Sequence, residues 1–533
     1  MTAPFAPLCC WSMSHPARRR AALLLALLAV PAGLAAQLPP LGVPRGTMRI
    51  EAYGDFGYAT TRFRDGTRED LAADFTSDAF GPTAIPAVAD ASRRIGVLVG
   101  DTDYGLSLGG SVGFGRVSRT AITPGLSLGL TEGITLFGRA PLVKTDTRRD
   151  VQSTSTGDAG VNPADPTLGD AAGLASAQLF FGDFDASLDA LATGLANGAY
   201  AGDPALQQLA EETLAGGSAL RDSLRALVLD QPTASAYLPT GASAAGATLQ
   251  GRVASVQQAL SGPLGIGGFS TALPLPAATT DVEAIPSYAV NAAGPYRYAS
   301  FIDTSTTSLG DVEIGAVVTP IDRWDRASLG GLRLAVEALV RLPTGTPARP
   351  DDGWPAPTGD GQLDIQLLAA ADVGRGNIGA RITAGYLLQL AGTFTRRVAP
   401  PGQVLVPASQ RTEVSVNPGD VVLLGIAPFV RLARPLALQG GVTWRVRGDD
   451  DVRYVGTPLP GIDAGVLAQE TGASTLLVSL GLSYAELAGR AGSRARVPID
   501  AMALWESVLV SSGGRVVAGS TVRAMARVYW QLW

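Results

Sequence analysis

Beyond residue 15 the chain contains no cysteine and no histidine; Cys9, Cys10 and His15 are the full complement in 533 residues. All three precede Arg18-Arg19-Arg20, the apolar run Ala21–Leu34 and the small residues Gly33, Ala35 and Ala36 ahead of Gln37. A basic patch, a short apolar run and a small-residue exit together read as a cleavable secretory signal over residues 1–36. The expected mature chain therefore has no disulfide, thiolate nucleophile, imidazole base or Cys/His metal site. Cys9 and Cys10 lie ahead of the apolar run, which argues against a lipid-anchor cysteine. Ala21–Leu34 is short for a spanning helix, which needs roughly 20 apolar residues, and no longer run follows it; an uncleaved N-terminal anchor is the alternative. Lysine is almost missing as well, since Lys144 is the only one. The 41 basic and 47 acidic residues fall to 38 against 47 once the three signal arginines are removed, a net charge near −9. Such a balance makes nucleic acid an unsuitable partner.

What the chain does have is alternation. In Gly331–Leu342, Leu332, Leu334, Val336, Ala338, Val340 and Leu342 alternate with Arg333, Glu337 and Arg341. Gln362–Val373 sets Leu363, Ile365, Leu367, Ala369, Ala371 and Val373 against Gln362, Asp364, Gln366 and Asp372, and Ile378–Leu390 repeats the pattern after the turn Gly374–Asn377. A period of two means strands with one apolar and one polar face. They suit either a half-exposed soluble sheet or a transmembrane barrel, whose apolar face meets lipid.

The rest of the chain favours the barrel. Met48–Phe63, Ser107–Leu130 and Ile134–Lys144 read as three N-terminal strands, residues 64–106 as a loop in which Ile95–Val99 could pair locally, and 37–147 as the first barrel segment. Nine further strands read as 309–320, 331–343, 361–374, 377–391, 419–433, 436–448, 473–487, 496–509 and 516–533, the second segment being 309–533. Short connections alternate with long Pro/Gly/Asp-rich ones (344–360, 392–418, 449–472), the asymmetry expected of outer-membrane barrels. The fold expected is all-β: a transmembrane antiparallel β-barrel of about 12 strands with a helical external insertion, both termini on the periplasmic side. The insertion, 148–308, is rich in Ala and Gly and loses the alternation. Asp203-Pro204 is a helix start; Leu206, Leu209 and Leu214, then Leu220, Leu224 and Leu227 recur at helical spacing, and Asp185–Leu195 and Thr248–Leu260 are weaker candidates. It is either a lid or constriction or, as this spacing usually records, a helical hairpin packed over the barrel mouth.

Orientation follows from cost. Arg333 or Arg445 facing lipid at mid-bilayer would cost roughly 2–4 kcal/mol each, so the charged face is the lumen. Arg333, Glu337, Arg341, Asp364, Arg381 and Arg445 are the lumen candidates; a cross-strand ion-pair network filling a narrow barrel is their other reading. Tyr386, Trp444, Tyr484 and Trp505 lie on apolar faces and suit interfacial aromatic girdles. The last strand, Val522–Trp533, closes on an aromatic and is similar to the C-terminal signature read by the barrel-assembly machinery, with Trp533 as its terminal residue. Gln531 and Arg527 share Trp533's parity, where that signature is usually apolar.

Gly310-Asp311-Val312 opens a hairpin whose second strand ends Arg341-Leu342-Pro343-Thr344-Gly345, and a Gly/Asp-rich loop then leads to Asp360-Gly361-Gln362-Leu363-Asp364. This resembles the barrel family named for meta-pathway phenol degradation, related to the long-chain fatty-acid channels; Leu128–Val143 is similar to that family's early hairpin. The resemblance covers about 118–147 and 309–533 and implies an outer-membrane barrel through which small, often hydrophobic, molecules pass, and no catalytic residues come with it; no cofactor and no metal are expected. The insertion is longer than that family leads one to expect. The expected partners are outer-membrane lipid, the assembly machinery and an unspecified small-molecule cargo. A plugged structural or surface-binding barrel is the alternative. A barrel hydrolase fits least, because such enzymes rely on histidine for proton transfer.

Overall fold

The computed structural model describes residues 42–325, 330–433, 436–486 and 498–533. The expected signal, residues 1–36, and the short connection expected at Gly489–Arg494 lie wholly outside the described residues. Twelve strands form the wall: β1 (Thr47–Ala59), β2 (Ser111–Gly129), β3 (Ile134–Arg139 continuing as Leu142–Ser153), β4 (Asp303–Leu309 continuing as Val312–Asp325), β5 (Gly330–Leu342), β6 (Asp364–Arg375), β7 (Ile378–Gln389), β8 (Val421–Arg431), β9 (Leu436–Arg447), β10 (Ala473–Glu486), β11 (Ile499–Ser512) and β12 (Ser520–Gln531). Each pairs antiparallel with its neighbours in chain order, and β1 pairs with both β2 and β12, so the sheet closes on itself. Closure leaves no strand edge to satisfy, which is what a wall in lipid requires.

The alternation read from the sequence is the inside–outside code of this wall. Leu367 is 53% exposed, Ile426 52% and Leu480 55%, all on the outer face, while Arg341, Asp364 and Arg381 are buried within. Two irregularities have local causes. Pro320 cannot donate to the ladder, and the β4–β5 register shifts between Val318 and Ile321. Pro141 and Gly310 interrupt β3 and β4 side by side, where Gly310 N donates to Pro141 O at 2.7 Å.

The two ends of the barrel differ. One end carries tight connections such as Gly376, at φ 65°; the other carries the long loops. The Pro/Gly-rich stretch Pro39–Gly46 reads in sequence as a linker, but its described part, 42–46, enters the tight-turn end: Val43 is 1% exposed, and its N–H donates to the inward-facing Thr135 hydroxyl at 2.7 Å. A Cβ at Gly129 would meet Pro44 O at 2.1 Å, and one at Gly46 would meet Trp533 O at 2.7 Å. Glycine permits both close approaches.

At the long-loop end sits a cap with its own core. β3 runs to Ser153 and β4 resumes at Asp303, so the inserted segment is 154–302. It holds α2 (Ala171–Ala196), α3 (Pro204–Val228), α4 (Ala244–Ser261) and α5 (Ile285–Val290). The Asp203 side chain accepts from Ala205 N and Leu206 N, as the Asp-Pro start predicts. Phe180, Phe181 and Phe184 of α2 pack with Leu220, Leu224 and Leu227 of α3 and Leu249 of α4, each side chain's burial contributing roughly 1.5–3 kcal/mol. Arg221 and Arg225 of α3 bind the two oxygens of Asp185 on α2 at 2.8 Å. Residues 64–106 are not simply a loop: they contain α1 (Pro86–Val99), and Ile95–Val99 is helical rather than strand-like. Pro86 occupies the first turn, and Val88, Ala91, Ile95 and Leu98 enter the same core. That segment's apolar period is helical, and burial against the insertion is what realises it.

Candidate functional site: the lumen and a cavity at its mouth

All six lumen candidates lie on the inward face. Four are ion-paired. Arg341 bridges Glu313 at 3.2 Å and Asp364 at 2.8 Å; Arg381 reaches both oxygens of Asp372 at 2.5 and 2.7 Å; Arg333 meets Asp322 at 3.0 Å. Glu337 and Arg445 form no salt bridge among the described residues. The N-terminal strand supplies charges that the sequence reading passed over. Arg49 and Glu51 (3.1 Å), Glu51 and Arg139 (3.1 Å), Arg139 and Glu313 (3.4 Å) extend the Arg341 group into a file of alternating sign: Arg49, Glu51, Arg139, Glu313, Arg341, Asp364. Arg523 pairs with Asp55, and Arg527 with Asp500, at 2.5 Å each. Their signal was present in the alternation of Arg49, Glu51, Tyr53 and Asp55. Apolar groups share the interior with them: Tyr53, Met502, Leu504 and Met525 form one cluster, and Phe137, Val317, Ala335 and Leu339 another. The lumen is thus less uniformly polar than the alternation suggests.

The opposite side, β8 to β10, is lined differently. Gly425 and Ala427 on β8, Thr443 and Gly441 on β9, and Ser479 and Gly481 on β10 face inward, and small residues leave space. A cavity of about 150 Å³ opens there beneath the loops, bounded by Phe394, Val416, Leu477 and Val508 and by Arg396, Arg445 and Arg447. Leu477, in its wall, lies across the β9–β10 ladder from Thr443, and Thr443 lines a second void of about 20 Å³ that reaches Arg381. The two voids follow one side of the barrel downward.

The mouth is held by loop-to-wall contacts. Loop 343–363 folds inward, and its Trp354 and Pro357 carbonyls accept from the inward-facing Thr147 and Thr145 hydroxyls at 2.8 and 2.9 Å. Trp354 is 1% exposed against Ala59, Leu71 and Val117. Arg149 lies 4.3 Å from the ring centres of both Phe75 and Phe301 and 5.3 Å from that of Trp354, pinning three loops together. The turn motif is the root of this loop. Asp311 accepts from Gly345 N at 2.8 Å and Asp360 N at 3.3 Å; the Thr344 hydroxyl donates to Gly310 O at 2.7 Å and accepts from Val312 N at 2.9 Å. Gly310-Asp311-Val312, Thr344-Gly345 and Asp360 are one knot, which explains their spacing. Burial pushes the Asp360 carboxyl up from its ordinary value. At the neighbouring loop cluster burial would do the same to Asp74, but Arg62, Arg515 and Arg64 outweigh it and hold that carboxyl down.

The four girdle candidates all project outward. Tyr386 donates to Asp420, and Trp444 Nε1 to Ser474 Oγ at 2.7 Å, both near the long-loop end. Tyr484 lies near the other end, and Trp505, opposite Leu480 and Val522, partway along the wall. Trp533 is 63% exposed beyond the last strand, with Trp530 and Leu532 also exposed; Arg527, of its parity, is inside.

The wall is apolar outside, charged inside and closed. The architecture is that of an outer-membrane barrel. No protein-family model and no curated protein matches the chain. Its structural neighbours include outer-membrane channels and the translocator domains of autotransporters. An outer membrane channel from Pseudomonas putida F1 aligns over 93% of this chain and 99% of its own at 8% identity, TM-score 0.41. A Pseudomonas aeruginosa FadL homologue aligns over 91% and 90% at 7% identity, TM-score 0.25. The TodX monoaromatic hydrocarbon channel, as a deletion mutant, aligns over 92% and 91% at 9% identity, TM-score 0.28. At these scores the likeness carries no weight beside the strand pairing itself.

Proposed function

We propose that this protein resides in an outer membrane, delivered by its N-terminal signal and inserted by the barrel-assembly machinery, and acts as a passive uptake channel for small molecules, hydrophobic ones among them. It is a transport protein rather than an enzyme. The observation that carries this reading is the line of voids along β8 to β10, from the mouth cavity to Arg381, on the one side of the lumen left free of the ion-pair file. Small inward residues there, beside a wall filled elsewhere by paired charge and apolar clusters, suit passage better than bracing. The cap and the inward loop would then act as the entrance, and the girdle aromatics would set the barrel's height in lipid. The test is solute flux into liposomes holding the intact chain, with Thr443→Trp as the blocked comparison. Flux of small solutes that falls at least fivefold in that variant is the expected result. No flux in the unaltered protein would replace the channel with a plugged scaffold whose loops bind a partner.

A further inference from the structure

The mouth cavity has a composition of its own. Phe394, Val416, Leu477 and Val508 make most of its surface apolar, and at about 150 Å³ it is well below the roughly 300–1,000 Å³ of sites that hold drug-sized ligands. It holds a small body and not a long chain. Five charged side chains reach it, and four are already engaged. Arg447 binds Asp450 at 2.7 Å, and Asp450 also accepts from Gly419 N at 3.0 Å. Arg396 donates to Ala348 O at 2.9 Å and lies 4.8 Å from the Phe394 ring centre. Asp360 accepts from Gln362 N at 2.9 Å.

Arg445 is the exception. Among the described residues no hydrogen bond and no ion pair reaches its guanidinium; Glu506 acts on it through space only, and Arg447 and Arg341 repel it. A guanidinium is planar, always charged and shaped to take a carboxylate in two parallel hydrogen bonds. Partly exposed at the edge of an apolar pocket and without a protein partner, it is free to take a ligand's carboxylate. We infer that the cavity binds a small monoanion with an apolar body, of the arylcarboxylate class, its carboxylate on Arg445 and its body against Leu477, Val508 and Phe394. This assignment deepens the channel reading and rests on it for its transport role, although binding is measured separately from flux.

The experiment is equilibrium binding of benzoate and of its uncharged counterpart, benzyl alcohol, to the full-length protein in detergent. Benzoate is expected to bind at least tenfold more tightly than benzyl alcohol. In Arg445→Gln that preference is lost while benzyl alcohol binding stays, Arg445→Lys restores part of it, and the exposed Arg453→Gln leaves it intact. Equal affinity for the two probes, or undiminished benzoate binding in Arg445→Gln, overturns the assignment. Should Arg445→Gln fail to give a heat-modifiable barrel, the benzoate preference of the unaltered protein and of Arg445→Lys decides. Flux of neutral solutes through a protein that binds the two probes equally overturns the anion site alone; benzoate binding with no flux upholds the site and removes the channel.

Discussion

Leucine is buried in one part of this molecule and exposed in another. Leu220, Leu224 and Leu227 of the cap are at most 4% exposed, whereas Leu367, Leu424 and Leu480 of the wall stand 47–55% exposed on the outer face. Arginine runs the other way: Arg221 and Arg225 ride the cap's surface, and Arg341, Arg381 and Arg523 are enclosed by the wall. The same residue types are sorted by two solvents, water around the cap and hydrocarbon around the barrel. One chain carries both sortings because 154–302 is spliced between two strands at the wet end of the wall.

The comparison can be broken at either region. The largest effect is expected from Arg381→Ala, which strands the Asp372 carboxylate inside the wall at a cost of roughly 3–5 kcal/mol; the urea midpoint of the reconstituted barrel should fall while the cap's proteolysis pattern stays unchanged. Leu224→Ala should cost the cap roughly 2–5 kcal/mol and expose 154–302 to protease, leaving the heat-dependent gel shift of the barrel intact. Ile426→Arg should cost roughly 2–4 kcal/mol in the bilayer, an effect that vanishes if that face meets water instead of lipid. The smallest effect is one of pH. The Asp74 carboxyl is held below its ordinary value, so the stability it contributes is fully present above the unfolded-state value near 4 and is lost as pH falls through the lower folded one. Protease cutting in 60–110 should rise in that acid window, and Asp74→Asn should abolish the pH dependence; cutting that is flat with pH in the unaltered protein would remove Asp74 from this role.

Much of the wall was legible because a two-sided strand writes its orientation into every second residue. Leu332 to Leu342 against Arg333, Glu337 and Arg341 gave facing directly, and twelve strands followed from counting such stretches. Partners were another matter. Arg139 meets Glu51 across 88 positions of sequence, a contact set by the stagger of neighbouring strands rather than by any local pattern. Helix Pro86–Val99 had a readable signal in Val88, Ala91, Ile95 and Leu98, but testing that stretch for alternation concealed it. The mouth cavity had none, since Phe394, Arg445, Val508 and Val517 come together only when two connections and two wall strands meet.

The seam has a bearing on how such a chain is made. Thr47 pairs with Gln531, and Gly46 O receives the Leu532 amide at 2.8 Å, so the first and last residues of the sheet are adjacent. Until β12 is in place, β1 and β11 each present an unzipped row of amides and carbonyls, ready to join a foreign strand. A chain that loses its final dozen residues keeps nearly every contact in the cap, yet it remains an open ribbon with two sticky margins.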